Sequence, residues 1–182
     1  TTRRSLNDSL LSYGQFTCVK GNSSEILGLS GLKRDNMKGV DADTSLTDIN
    51  LLAQATRIVA FKYKTIAVCT GQTDFICDGT FGGELHLSTA TNGASVDSLT
   101  VYTVTNGDIP IMGDITASGC SLGSTIASLV GGLGPDGSVF DAVVSAVVLY
   151  KSAGKLASET CEGSGSFHVK LIDNLYNLFH EN

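Results

Sequence analysis

The chain has 182 residues, a formal net charge of -6, and 21 glycines against 2 prolines. An acidic chain of this kind argues against a nucleic-acid partner, because binding a phosphate backbone requires clustered Lys and Arg. No apolar run reaches the roughly 20 residues of a membrane span, and the polar start lacks the apolar core of a secretory signal, so a membrane partner is not expected.

The first part of the chain alternates between helical and strand patterns, which is typical of an α/β fold. The predicted elements are a helix over residues 5–13, a strand over 16–20, a short helix over 25–29 capped by Asn22, a longer helix from about residue 45, and a buried strand over 65–69. The spacing of apolar residues, the capping residue and the glycine punctuation indicate these limits.

The second part of the chain shows first a strand pattern and then a helical pattern. Between residues 74 and 112 short apolar runs alternate with Gly and Asn, which predicts antiparallel strands at a sheet edge, with residues 87–97 as a polar insertion. Three amphipathic helices follow, over residues 120–129, 140–156 and 169–179. The whole indicates one α/β domain with a mainly parallel sheet and a β-rich edge.

Small residues over 113–124, GDITASGCSLGS, precede a predicted helix whose first turn leaves backbone N–H donors unpaired. Such a turn can hold an anion or can simply be a close-packed loop, and this segment alone supports the two equally. Cys120 lies at the helix start, where the dipole favours thiolate or base chemistry, although a small buried thiol is the commoner role. The five cysteines are widely spaced, which fits neither a disulfide framework nor a zinc site and favours the cytoplasm.

The same segment matches the nucleophile elbow of serine hydrolases, with Ser121 as nucleophile and Asp141 and His168 downstream. That elbow requires a buried apolar strand directly before it. Here a polar, turn-like stretch takes this place, so the hydrolase is the weaker hypothesis.

Asn22 and Glu25 follow the first strand with the spacing N-x-x-E. Their oxygens suit Mg²⁺ and its waters, and they equally suit a helix cap followed by an acidic first-turn residue, which is the commoner role. Thr70 and Gly71 follow the next strand, where open parallel sheets present loops to ligands. That position is also consistent with a simple turn.

The chain is similar to a known family through several segments in order: VKGNSSEI, KGVDA, AVCTGQTDFI, TNGD, ITASGCSLGS and GSGSFHVKLID. Together they resemble the C-terminal half of hydroxyethylthiazole kinases, which are ribokinase-like enzymes. The insertion STATNGASVDS makes the chain most similar to the kinase half of fungal bifunctional enzymes that also make thiamine phosphate.

This resemblance implies a three-layer α/β/α domain that transfers the ATP γ-phosphate to the hydroxyl of 5-(2-hydroxyethyl)-4-methylthiazole in thiamine biosynthesis or salvage. It implies ATP and Mg²⁺ as cofactors. It also implies site residues: Lys20, Thr70 and Gly119 for ATP, Asn22 and Glu25 near Mg²⁺, Ala117 against the substrate, and Cys120 as the proton acceptor. Lys20 replaces the Arg usual in the family, which keeps the charge and loses the bidentate fork.

The resemblance assigns residues 1–182 to the ATP-binding and catalytic part of the domain. The family's N-terminal half, with most thiazole contacts, has no counterpart here, and a start without Met suggests a piece of a longer protein. The family also implies a homotrimer with the substrate pocket between subunits. The alternative, from a different class of function, is a non-catalytic piece that has only a structural role.

Overall fold

The structure is a computed structural model that describes residues 2–32, 48–80 and 95–180. The chain divides into two compact units, residues 1–103 and 104–182. The first unit contains most of a sheet, and the second contains three long helices. The segment KGVDA and most of the insertion expected over residues 87–97 lie outside the described residues.

The elements of the first unit follow the predicted order. They are α1 (Thr2–Tyr13), β1 (Cys18–Asn22), α2 (Ser23–Ser30), α3 (Ile49–Tyr63), β2 (Ile66–Thr70), β3 (Asp74–Asp78), a 3-10 helix (Val96–Ser98) and β4 (Val101–Val104). The first strand lies two residues later than predicted. The helix expected from about residue 45 begins at Ile49, because the Asp48 carboxylate accepts hydrogen bonds from the N–H groups of Asn50 and Leu51.

The four described strands form one sheet in the order β1-β2-β3-β4. β1 pairs parallel with β2, whereas β2 pairs antiparallel with β3. The α/β prediction is therefore confirmed, and the described sheet is mixed: the β1–β2 pair represents its parallel part. The antiparallel partner of β2 agrees with the strand-rich edge expected after residue 74.

The core of the first unit joins α2 and α3 to one face of the sheet. Its members are buried apolar residues from helices and strands: Val19, Ile26, Leu52, Ala55, Val59, Ala60, Ala67, Cys69, Phe75 and Cys77. Gly79 directly follows β3, where the chain passes against α3, and a Cβ there would collide with the Ala60 carbonyl. Only glycine fits this approach.

The second unit consists of α4 (Ile111–Asp114), α5 (Ser118–Gly131), α6 (Val139–Thr160) and α7 (Ser164–His180). The three predicted helices are confirmed and are longer at both ends. α4 was not predicted, because four residues are too few to show a helical period. The Ser138 hydroxyl caps α6 by accepting from the Asp141 N–H.

The core of the second unit is the shared face of α5, α6 and α7. It contains buried side chains of all three helices, including Leu122 and Ile126, Val143 and Val147, and Phe167 and Leu171. Among the helices that the structure describes, none is long and apolar enough to cross a membrane.

Candidate functional site

The carboxyl ends of β1 and β2 bring together three of the predicted site residues. Because these strands are parallel neighbours, Asn22 pairs with Thr70 in the register, and Lys20 lies two residues earlier on β1. The Thr70 hydroxyl donates to the Gly21 carbonyl at 3.3 Å, which ties the two strand ends together. The first unit therefore assembles at one sheet edge the residues that the sequence separated by nearly fifty positions.

β1 passes directly into α2 through a reciprocal cap. The Glu25 N–H donates to Asn22 Oδ1 at 2.9 Å, and the Asn22 N–H donates to Glu25 Oε2 at 2.8 Å. The cap interpretation of N-x-x-E is thus confirmed. Gly21 permits this close turn, since a Cβ there would lie 2.9 Å from the Glu25 Cβ.

Capping and cation binding are compatible at these two side chains. Both Asn22 and Glu25 are exposed, and a carboxylate offers about four lone-pair sites, of which the cap uses one. The negative charge of Glu25 therefore remains available at the sheet edge.

A buried carboxylate shapes the turn that follows β2. Asp74 is 5% exposed, and its Oδ1 accepts from the Gly71 N–H at 2.9 Å. This bond holds the turn that presents Thr70. Sequence reasoning missed Asp74, although an Asp three residues after the glycine of a short turn is a signal for such a bond.

The start of α5 is the second candidate site, and its donors are backbone groups. No side-chain hydrogen bond caps the 14-residue helix at Ala117. The first intrahelical bond runs from the Ser121 N–H to the Ala117 carbonyl at 2.9 Å, so the N–H groups of the preceding helical residues have no acceptor within the helix. Gly119 and Cys120 are exposed in this first turn, as an anion-binding role requires.

Ala117 enters this helix in a left-handed conformation with φ 68° and ψ 10°. Such a conformation is uncommon for a residue with a Cβ and costs about 1–2 kcal/mol. The helix therefore begins abruptly, and the turn before it places the exposed N–H groups at its tip.

Comparison with known proteins assigns the chain to one family. The model of the hydroxyethylthiazole kinase family matches residues 1–181. The chain is 63% identical over 181 residues to the thiamine biosynthetic bifunctional enzyme of Saccharomyces cerevisiae, covering all of this chain and 34% of that protein. It is 34% identical over 185 residues to the hydroxyethylthiazole kinase of Carboxydothermus hydrogenoformans, covering 57% of it.

The chain belongs to the hydroxyethylthiazole kinase family. A solved hydroxyethylthiazole kinase from Pyrococcus horikoshii shares 26% sequence identity with it at a TM-score of 0.68, over 97% of this chain and 54% of that one. The chain thus spans about a third of the yeast enzyme and just over half of these two kinases.

The membership weakens the hydrolase hypothesis, and the local structure argues against it as well. Between β4 and α5 the described chain contains α4 and a turn instead of the strand that a nucleophile elbow requires. Asp141 lies in the capped first turn of α6, and His168 is exposed on α7.

The cysteines of this kinase-family chain divide into inert and accessible thiols. Burial raises the pKa of Cys69 and of Cys77 from 9.0 to about 11, and that of Cys18 to about 12. These three remain neutral near pH 7 and cannot act as bases. Cys120, by contrast, is exposed at the start of α5.

Within the described ranges, no three His, Cys, Asp or Glu side chains come together as a metal-binding group. A cation at Asn22 and Glu25 would therefore take most of its ligands from water and from substrate oxygens, which is the usual behaviour of Mg²⁺.

Proposed function

We propose that this chain is the ATP-binding and catalytic part of an enzyme that phosphorylates the primary hydroxyl of 5-(2-hydroxyethyl)-4-methylthiazole, in thiamine biosynthesis or salvage. The observation that carries the proposal is that the family match spans residues 1–181 and includes an uncapped helix start with an exposed thiol in its first turn. Yeast and bacterial relatives that match the whole chain are named for the same pathway or reaction.

The start of α5 supplies the anion site in this proposal. When bound, ATP supplies the phosphoryl group that is transferred to the alcohol. The N–H groups of Ser118, Gly119 and Cys120 point out of an uncapped helix end and stabilise the negative charge that builds up on the transferred group. In the first unit, Lys20 and Thr70 are the further ATP residues that the family resemblance implies, and the Thr70 hydroxyl is held by its bond to the Gly21 carbonyl.

Magnesium fits the oxygen donors at the first sheet edge. The Glu25 carboxylate, in the first turn of α2, and the amide oxygen of its N-cap Asn22 belong to exposed residues that the reciprocal cap joins. Their capping bonds fix both side chains, so a hydrated cation meets donors that are already ordered. Glu25 then balances the cation's charge, while Asn22 adds a neutral oxygen.

Cys120 is the proposed proton acceptor, and Ala117 lies against the substrate. As the alcohol oxygen bonds to phosphorus, its proton would pass to Cys120 in its thiolate form, and the bond from phosphorus to the departing nucleotide would break. General-base help of this kind is worth about 10²- to 10⁴-fold in rate. Ala117, which by resemblance would lie against the substrate, has a left-handed conformation three residues before that thiol.

The larger assembly is part of the same proposal. We infer that residues 1–182 form the C-terminal part of a ribokinase-like, three-layer α/β/α domain, which acts in the cytoplasm as a homotrimer. We further infer that the domain is fused to a thiamine-phosphate synthase. The mixed sheet with helices packed on it and the match to a bifunctional yeast enzyme support these inferences.

The test is an assay of the complete protein with ATP, Mg²⁺ and the thiazole alcohol, with thiazole phosphate quantified by mass spectrometry. We expect phosphate transfer that requires all three components. Absence of thiazole phosphate, together with ester cleavage and labelling of Ser121 by a fluorophosphonate, would instead establish the hydrolase.

A further inference from the structure

A buried tyrosine of α6 reaches the first turn of α5. Tyr150 is 4% exposed, and its hydroxyl donates to the Ser118 carbonyl at 2.9 Å. Burial raises the pKa of Tyr150, and a side-chain hydrogen bond with Ser121 lowers it. The phenol therefore contacts the first turn of α5, which contains Gly119 and Cys120.

A hydrogen bond to the Ser118 carbonyl affects the orientation of the neighbouring Gly119 N–H. This carbonyl belongs to the same peptide group as the N–H of Gly119, and this group is planar. A bond that fixes the direction of the carbonyl therefore also fixes the direction in which the Gly119 N–H points. Because α5 has no side-chain cap, Tyr150 is a side-chain restraint on this peptide that comes from another helix.

The two residues after Tyr150 restrain the chain that leads into this turn. Lys151 is buried, and its Nζ donates to the Val104 carbonyl at 3.5 Å. The side chains of Asn106 and Ser152 are in hydrogen-bond contact at 3.0 Å. Within the second unit, one stretch of α6 thus contacts Val104, Asn106 and the start of α5, which points to positioning more than to isolated packing.

We propose that Tyr150 is a positioning residue for phosphoryl transfer, whose hydroxyl orients the Ser118–Gly119 peptide so that the Gly119 N–H faces the bound anion. This inference rests on the proposed function in so far as it concerns catalysis. Its structural part, the link between the phenol and the Gly119 amide, is independent of which reaction the site performs.

The test compares Tyr150→Phe with Tyr176→Phe in the complete protein. Tyr176 is 63% exposed on α7, so its variant controls for loss of a phenol in the same unit. We expect Tyr150→Phe to lower kcat about 10-fold while KM for the thiazole alcohol changes less than 2-fold, because an oriented donor matters most where charge develops. Replacing Tyr150 with 4-aminophenylalanine, which keeps a donor, should restore most of kcat.

Two measurements without substrates separate orientation from general damage. In Tyr150→Phe, the amide resonance of Gly119 in a ¹H–¹⁵N spectrum should shift, and the iodoacetamide reaction rate of Cys120 should change at least 3-fold. Neither should change in Tyr176→Phe. An unchanged Gly119 resonance, or no rescue by the amino analogue, would overturn the proposal.

The failure of the proposed function gives a different result. If the wild-type protein forms no thiazole phosphate while the Gly119 resonance still responds to Tyr150→Phe, the assigned reaction is wrong and the positioning contact stands. If Tyr150→Phe does not fold, the 4-aminophenylalanine variant is compared with the wild-type protein instead. The donor role is supported if the Gly119 resonance and the Cys120 alkylation rate match those of the wild-type protein. A clear difference in either measurement refutes it.

Discussion

The sheet edge of the first unit and the helix start of the second offer opposite kinds of binding groups. At the sheet edge the polar side chains are already engaged locally: Asn22 with Glu25, Thr70 with Gly21, and Asp74 with Gly71. At the start of α5 the donors are backbone groups with no side-chain cap. One region is ordered before a ligand binds, whereas the other keeps unmet hydrogen-bonding capacity.

The two regions therefore suit ligands of opposite charge: the ordered oxygens of the sheet edge suit a cation, and the uncapped N–H groups of α5 suit an anion. Ordered side chains lose little conformational entropy on binding, which suits a cation that prefers fixed oxygen ligands. Uncapped N–H groups gain most from an anion, since their alternative partner is water. We therefore expect substitutions in the two regions to act on different steps.

The largest expected effect is in the second region. In the complete protein, Cys120→Ala should lower kcat for thiazole phosphorylation by about 10²- to 10⁴-fold, because it removes the proposed general base. ATP affinity should stay within a few fold. Cys161→Ala is the control, since Cys161 lies at the other end of α6 from its capped start, and its sulfur donates to the Ser158 carbonyl at 3.8 Å. Unchanged turnover in Cys120→Ala would remove this thiol from the mechanism.

Alkaline unfolding should report on the buried thiols of the first unit. Cys69 and Cys77 have a pKa raised from 9.0 to about 11 in the folded chain, so unfolding releases their protons between these pH values. Their contribution to stability is complete below pH 9 and is lost as the pH rises to about 11, at about 1.4 kcal/mol per pH unit for each thiol.

The measurement is the free energy of unfolding by denaturant from pH 8 to 11. Cys77→Ala should flatten the decline relative to the wild-type protein. A slope equal to that of the wild-type protein would show that the buried thiols do not titrate as described.

At the sheet edge, Glu25 offers a way to separate charge from capping. Glu25→Gln keeps an oxygen that accepts from the Asn22 N–H and removes the charge, whereas Glu25→Ala removes both. We expect both variants to weaken Mg²⁺-dependent activity by about 10-fold, and only Glu25→Ala to lose about 1 kcal/mol of stability, the usual value of a cap. Equal weakening of nucleotide binding with and without Mg²⁺ would leave Glu25 with a capping role alone.

The smallest expected effect concerns backbone strain. Ala117→Gly should stabilise the chain by about 0.5 kcal/mol, because relief of the left-handed penalty slightly exceeds the entropy that glycine loses. Lys64→Gly tests the same effect in the first unit, since Lys64 also has a positive φ, 48°, at the end of α3. A loss of stability in both variants, measured by denaturant unfolding, would mean that neither position is strained.

Much of the fold was readable from the sequence because the signals are local. Apolar spacing located the long helices, and Asn22 marked the start of α2. The predicted first residues of α3 and β1 were wrong because they depend on specific bonds. α3 begins later than predicted because Asp48 caps it, and β1 begins later because its register is set by pairing with β2. The direction of the β2–β3 pairing follows from a three-residue turn that the Gly71–Asp74 bond stabilises.

The candidate site was predictable to the extent that motifs carry it. Asn22 with Glu25, Thr70, and the turn before Cys120 were found from spacing or from resemblance, and their chemical roles remain predictions. Asp74 was missed although its spacing from Gly71 is a local signal. Tyr150 was missed for a physical reason: its hydroxyl acts on the Ser118 carbonyl, 32 residues away in the chain. A contact between residues so far apart in the chain leaves no recognisable sequence pattern.

The junction of β1 and α2 also bears on how this protein can be altered. The last residue of the strand is the cap of the helix, so no loop residue between them can absorb an insertion. Adding one residue there would reverse the side of the sheet that each strand residue faces, or unwind the first helical turn. The connection from α5 to α6 spans residues 132–138 and is mostly exposed, so tags, labels or crosslinking sites placed there should be accepted without disturbing either candidate site.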